Sequence, residues 1–369
     1  MTTEKSESGW QLFKQAIAGD TEINYTEGSI ARVTLLLAIP MILEMAMESV
    51  FAVVDIFFVS GLGTAAVATV GLTEAVITLL YAIAIGLSMG ATAMVARRIG
   101  EKDPEAASIA AGQVIWLGVF VSVMVGLLGL VFAREILMLM GAEESVIETG
   151  VGYTRLMFGA CFSIVFLFLI NAIFRGAGDA TIAMKALWLA NGINIVLDPC
   201  LIYGVGPFPE LGVTGAAVAT NIGRTIGALY GLYHLVGGKG RLQLHTKDMG
   251  LRMSIVWSLV RISVGGVAQF LVATASWVFL MSIVSGFGSG AVAGYTIAVR
   301  VVMFSILPAW GLSNATATLV GQNLGAGLIE RADTTTWKIA QYNAAYMAFA
   351  AILMLIFDDQ IASFFTSEA

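Results

Sequence analysis

Apolar runs of membrane-crossing length alternate with short polar links along most of this chain. The runs are Arg32–Ser60, Thr64–Ala96, Ala106–Ala133, Gly152–Phe174, Lys185–Gly206, Gly212–Gly238, Ser254–Ser285, Ala291–Gln322 and Trp337–Phe357. Each is near or above the ~20 residues that a helix needs to cross a bilayer. The pattern therefore predicts an all-α integral membrane protein with nine spans. Residues 1–31 form a polar N-terminal tail, in which Trp10–Ala18 fits a short amphipathic surface helix or, the reading we favour, a loosely ordered leader. The polar stretch 239–252 is the longest between spans. It divides an N-lobe (32–238, spans one to six) from a C-lobe (253–369, spans seven to nine).

The first run breaks the apolar rule in a patterned way, because it carries Glu44, Glu48 and Asp55. At ~100° per residue these three acids fall within about 40° of one another, on one stripe. Acids at membrane depth are costly and usually face a water-filled cavity or a partner. The alternative for Glu44 and Glu48 is snorkelling or pairing with a neighbouring helix. In the fifth run Asn194 and Asp198 share a face, with Asn191 one turn earlier, and Pro199 leaves the Ile195 carbonyl without its helical donor. A carboxylate, an amide, a hydroxyl and a free carbonyl are hard oxygen ligands that suit Na⁺ or a bound proton. The bland readings are an interhelical hydrogen bond for Asn194, a kink cap for Asp198 and back-bonding for Thr220. Met41, Met45, Met47, Met281, Met303 and Trp310 could line an adaptable pocket, although packing is the commoner role for such residues.

A shift of 225 residues superposes the chain on itself without gaps. Gly61-Leu-Gly-Thr-Ala-Ala-Val-Ala68 meets Gly286-Phe-Gly-Ser-Gly-Ala-Val-Ala293, and 14 of the 47 positions in 61–107 match their counterparts in 286–332. The shift passes six crossings, so both copies keep one orientation. A parallel duplication of a six-span unit predicts two lobes about an axis along the membrane normal, with a cavity between them. In the same register Phe132 meets Phe357, Ile136 meets Ile361 and Glu143 meets Glu368, so the second copy lacks counterparts of residues 145–238. We therefore expect the C-lobe to be truncated and the natural chain to continue; the alternative is a short transporter that completes its lobe by dimerising.

Composition and charge refine this picture. The chain is 58% hydrophobic and only 12% charged, against about 25% charged for a soluble domain. Lys and Arg gather in the tail and in the links after spans two, four, six and eight, which places the N-terminus and the 239–252 linker in the cytoplasm. Two cysteines in apolar runs are no disulfide framework, and two histidines make no metal cluster. Without a Walker motif, energy for transport would come from an ion gradient.

Several of these stretches resemble the multidrug and toxic compound extrusion (MATE) family. They are Ala38-Ile-Pro40 with Val53-Val-Asp55, Arg97-Arg98-Ile-Gly100, Asn194-Ile-Val-Leu-Asp198-Pro199 and Leu319-Val-Gly-Gln-Asn-Leu-Gly325. The resemblance covers the chain from about Glu27 onward. It implies a multidrug efflux antiporter in a cell (inner) membrane that exchanges small, often cationic, organic compounds for H⁺ or Na⁺. It implies no cofactor, no enzymatic activity and no nucleic-acid partner, and a monomer in the lipid bilayer. It places cation or proton coupling on Asp55, Asn194, Asp198 and Thr220, with Na⁺ held by the last three, and the substrate cavity on Glu44, Glu48 and Gln269. Gln269 occupies the repeat position of Glu44, and span seven has no acid, which favours coupling in the N-lobe. A lipid-linked saccharide flippase is the alternative, with Arg261 and Arg300 to hold a pyrophosphate. An intramembrane enzyme built on the acidic stripe fits less well, since no histidine stands near.

Overall fold

The computed structural model describes residues 8–19, 23–238 and 240–360, apart from the side chains at 289, 290, 292, 293, 297 and 300. Among these residues every long element is a helix: α1 (Gly9–Ala18), α2 (Ile30–Ser60), α3 (Thr64–Gly100), α4 (Pro104–Leu139), α5 (Glu144–Gly159), α6 (Phe162–Ala177), α7 (Ala180–Tyr203), α8 (Val213–Gly237), α9 (Met253–Ser285), α10 (Ser289–Gly325) and α11 (Ile329–Ile356). Among the described residues seven helical segments are long and apolar enough to cross a membrane. The two other long helices, α2 and α8, carry the three acids of the first run and Arg224.

Three local expectations are corrected. The fourth run starts earlier than Gly152, and Ala160-Cys161 breaks it into α5 and α6. Arg97 and Arg98 are the last turn of α3, not a link, and Arg175 lies inside α6. The leader is an ordered helix. Ser8 accepts the Gln11 amide and Gln11 accepts the Ser8 amide, a capping box that satisfies two orphan donors at the start of α1. Thr181 then ties α1 to α7 by donating to the Ala16 carbonyl (2.9 Å). The 239–252 linker also docks: Gln113 and Trp116 of α4 donate to the carbonyls of Gly250 and Met249. The register positions Ile361 and Glu368 lie outside the described residues.

Helices α2 to α8 pack as one bundle, while α9 and α10 cross onto it through α3 and α2. Those crossings reproduce the repeat atom by atom. A Cβ on Gly86 would meet the Val267 amide nitrogen, and a Cβ on Gly311 would meet that of Ile42. One on Gly100 would collide with the Gln322 carbonyl, and one on Gly325 with the Arg97 carbonyl. Each pair maps onto the other under the 225-residue shift. The two copies are therefore related by a pseudo-two-fold axis, and backbone touches backbone because glycine allows it. All four approaches fall in the half of the helices that ends at Gly100 and Gly325, and the acids beyond Glu44 sit in the other half of α2.

Candidate functional site

The close packing of α8 against α7 sets the geometry of the site. Gly223 and Gly227 lie where a Cβ would strike the carbonyls of Ala190 and Ala186, so α8 runs almost in backbone contact with α7. That approach brings Thr220 to Asn194, whose Nδ2 donates both to Thr220 Oγ1 (3.1 Å) and to Asp198 Oδ1 (3.2 Å). All three side chains are buried, Asp198 completely. Helix α2 delivers Asp55, also buried, against Asp198, close enough for the two carboxyls to share a hydrogen bond. Asp198 Oδ2 and Asn194 Oδ1 are buried acceptors without a protein donor. Neither oxygen receives a hydrogen from the protein, so a proton, a cation or a water molecule has to satisfy them. Asp55, Asn194, Asp198 and Thr220, chosen from sequence, thus form one constellation.

The two glutamates of α2 sit differently. Glu44 Oε1 accepts from Arg175 Nη1 (2.8 Å) and Asn171 Nδ2 (3.1 Å), both on α6, and is 2% exposed. Glu48 accepts from Asn191 Nδ2 of α7 (2.9 Å) and Arg224 Nη2 of α8 (3.1 Å), and its side chain keeps 30% exposure. Of the two, only Glu48 reaches open space, and Glu44 is enclosed in a buried ion pair. Gln269 is exposed on α9 and is not brought to this cluster.

Arg175 and Arg224 are the residues that sequence reasoning missed. Arg175 reads as a link residue beside Gly176 and Gly178, and Arg224 is a single charge in a long apolar run. A lone cation at membrane depth was a usable signal, since such a charge requires a partner. Arg224 also lies over the rings of Phe51 (5.4 Å) and Tyr81 (5.9 Å). Asp55, Glu74 and Tyr81 stand within its electrostatic reach. Among the described residues no three His, Cys, Asp or Glu side chains are grouped to hold a metal ion. Any cation here would rest on mixed carboxylate, amide and hydroxyl oxygens.

Comparison with known proteins gives a consistent picture. The MatE family profile matches residues 40–200 and 266–369. The probable multidrug resistance protein YoeA of Bacillus subtilis is 29% identical over 344 residues, 92% of this chain and 74% of that protein. An FAD transporter of Shewanella oneidensis is 27% identical over 92% of this chain and 75% of its own length. Among solved structures, MATE in complex with MaL6 superposes with a TM-score of 0.87 at 30% identity, covering 93% of this chain and 76% of that one. A Pyrococcus furiosus transporter of the MOP superfamily gives 0.84 at 30% identity, over 98% and 77%.

Proposed function

The chain belongs to the MatE family, and from that premise we propose that it is a multidrug efflux antiporter, exporting small organic compounds in exchange for H⁺ or Na⁺. The observation that carries the exchange step is the buried contact of Asp55 with Asp198, where Asp198 Oδ2 and Asn194 Oδ1 are buried acceptors with no protein donor. Two carboxyls in contact hold together with a proton or a cation between them and repel without one. Ion loading therefore changes the preferred distance between α2 and α7. Glu48, at the open edge of the same cluster, is the carboxylate that an organic cation would meet first.

The seam at Gly86, Gly100, Gly311 and Gly325 supplies the second part of an alternating-access cycle. It closes the face on which Arg97, Arg98, Lys102 and Arg331 gather, which we assign to the cytoplasm by the positive-inside rule. The state described here is then open outward, and the N-terminus lies on the cytoplasmic side of the cell membrane. A lipid-linked saccharide flippase would need free cations for a pyrophosphate. Arg175 and Arg224 are each engaged by a glutamate, which counts against it; Arg261 is exposed, and the Arg300 side chain lies outside the described residues.

The test uses the purified chain in liposomes loaded with a fluorescent organic cation, under an imposed proton or sodium gradient. Gradient-driven export is expected, and Asp55→Asn or Asp198→Asn should abolish it while the protein still inserts. Export at the wild-type rate in both variants would place coupling elsewhere. Export driven by the sodium gradient at fixed pH, and not by the proton gradient, would identify Na⁺ as the coupling ion.

A further inference from the structure

Arg224 has more hydrogen-bonding capacity than the structure uses. Its side chain is 3% exposed, and only Nη2 is engaged, by Glu48 Oε1 at 3.1 Å. Nε and Nη1 are buried with no acceptor. A guanidinium stays charged at any relevant pH, and idle donors on a desolvated cation are costly. Such an arrangement persists when a different state of the molecule uses those donors. The nearby acceptor that changes state is Asp55, which lies buried beside Asp198 and stands within reach of the Arg224 charge.

We propose that Arg224 is a tethered counter-ion for the coupling pair: when the ion leaves Asp55 and Asp198, the guanidinium's idle donors turn to Asp55 while Nη2 keeps Glu48. This rests on the reading of Asp55 and Asp198 as the ion-carrying pair. It adds a positioning residue that determines how readily the ion is released. The planar fork suits the role, because one guanidinium can hold two carboxylates at once and an ammonium holds them less well. Every titratable group around the pair takes part in the balance. Helix α2 brings Glu48 and Asp55, α3 brings Glu74 and Tyr81, α5 brings Tyr153 and α7 brings Asp198. Glu44 flanks Glu48 but is already matched by Arg175. Arg224 is the cation that faces Asp55, and Glu48 anchors it on the cavity side.

The experiment reads the carboxyls directly and needs no transport. The infrared band of protonated carboxyl groups is titrated with pH in the purified chain in liposomes. It is assigned to the pair by its loss in Asp55→Asn and Asp198→Asn. In the double variant Arg224→Gln with Glu48→Gln, which leaves the net charge unchanged, the midpoint should rise by about one pH unit or more, a tenfold tighter hold on the proton. A midpoint equal to wild type in the inserted double variant would overturn the proposal. Arg224→Lys, which keeps the charge and loses the fork, covers the case in which the double variant fails to insert. It should move the midpoint the same way by less, and an unchanged midpoint there would also count against the counter-ion. A band that persists in both aspartate variants would instead remove the coupling pair itself, so the two readings fail separately.

Discussion

At the scale of single residues, the acidic stripe was legible and its partners were not. Periodicity put Glu44, Glu48 and Asp55 on one face, and the structure keeps them there. Which acid meets open space depended on Arg175 and Arg224, which lie 131 and 176 residues further along the chain. No local pattern connects residues at such distances. The consequence is sharpest at Glu44. Its ion pair with Arg175 is desolvated on both sides, with side-chain exposures of 3% and 9%. Removing one partner of such a pair leaves an uncompensated buried charge and costs about 3–5 kcal/mol. Glu44→Gln is therefore expected to lower the melting temperature of the purified chain markedly, and Glu44→Leu with Arg175→Met to recover most of the loss. A change in which compounds are exported, with the melting temperature unmoved, would return Glu44 to the substrate cavity.

At the scale of elements, hydropathy located the long helices, because apolar runs of that length have few alternatives in a bilayer. It failed where packing or a cap decides the outcome. The break at Ala160-Cys161 falls inside a run with no polar link at that point, and α1 owes its order to a capping box and to Thr181, neither of which hydropathy registers. The same limit applies at the turn between α6 and α7. There Asp179 accepts the Arg241 amide (2.6 Å) and pairs with its guanidinium, clamping the linker to the bundle. Arg241 in turn covers the ring of Tyr25, whose hydroxyl donates to the Gly178 carbonyl. Burial pushes the Asp179 carboxyl up to about 6, against the opposing pull of the Arg241 amide and charge. A folded value above the ordinary 3.8 means that folding favours the protonated form. The contribution of this acid is then fullest below pH ~4, declines as pH rises to about 6 and is flat above. Asp179→Asn should remove that slope, measured as the difference in melting temperature between wild type and variant across pH 4 to 6. A difference that stays constant over this window would show that Asp179 does not change its protonation on folding.

At the scale of the whole molecule, the repeat was the most legible feature. A rigid shift in sequence became a two-fold axis in space, because a duplicated unit carries its packing surfaces with it. The sequence did not indicate where the two copies touch, since a glycine in a turn and a glycine in a seam look alike when read singly. On the proposed alternating-access reading, the seam is the part that moves. Gly321 lies where a Cβ would sit 2.7 Å from the Ala96 Cβ, and positions 96 and 321 are repeat mates. A disulfide needs Cβ atoms about 3.8 Å apart, so two cysteines there can bridge after a displacement of about 1 Å. Ala96→Cys with Gly321→Cys, made in a background without Cys161 and Cys200, should cross-link readily in the closed state described here. Oxidation should then abolish net export, and reduction should restore it, while the carboxyl band of Asp55 and Asp198 titrates as before. That combination would separate the gate from the ion site. Undiminished export by the fully oxidised protein would mean that the seam stays shut throughout the cycle, and that the lobes do not exchange access by parting there.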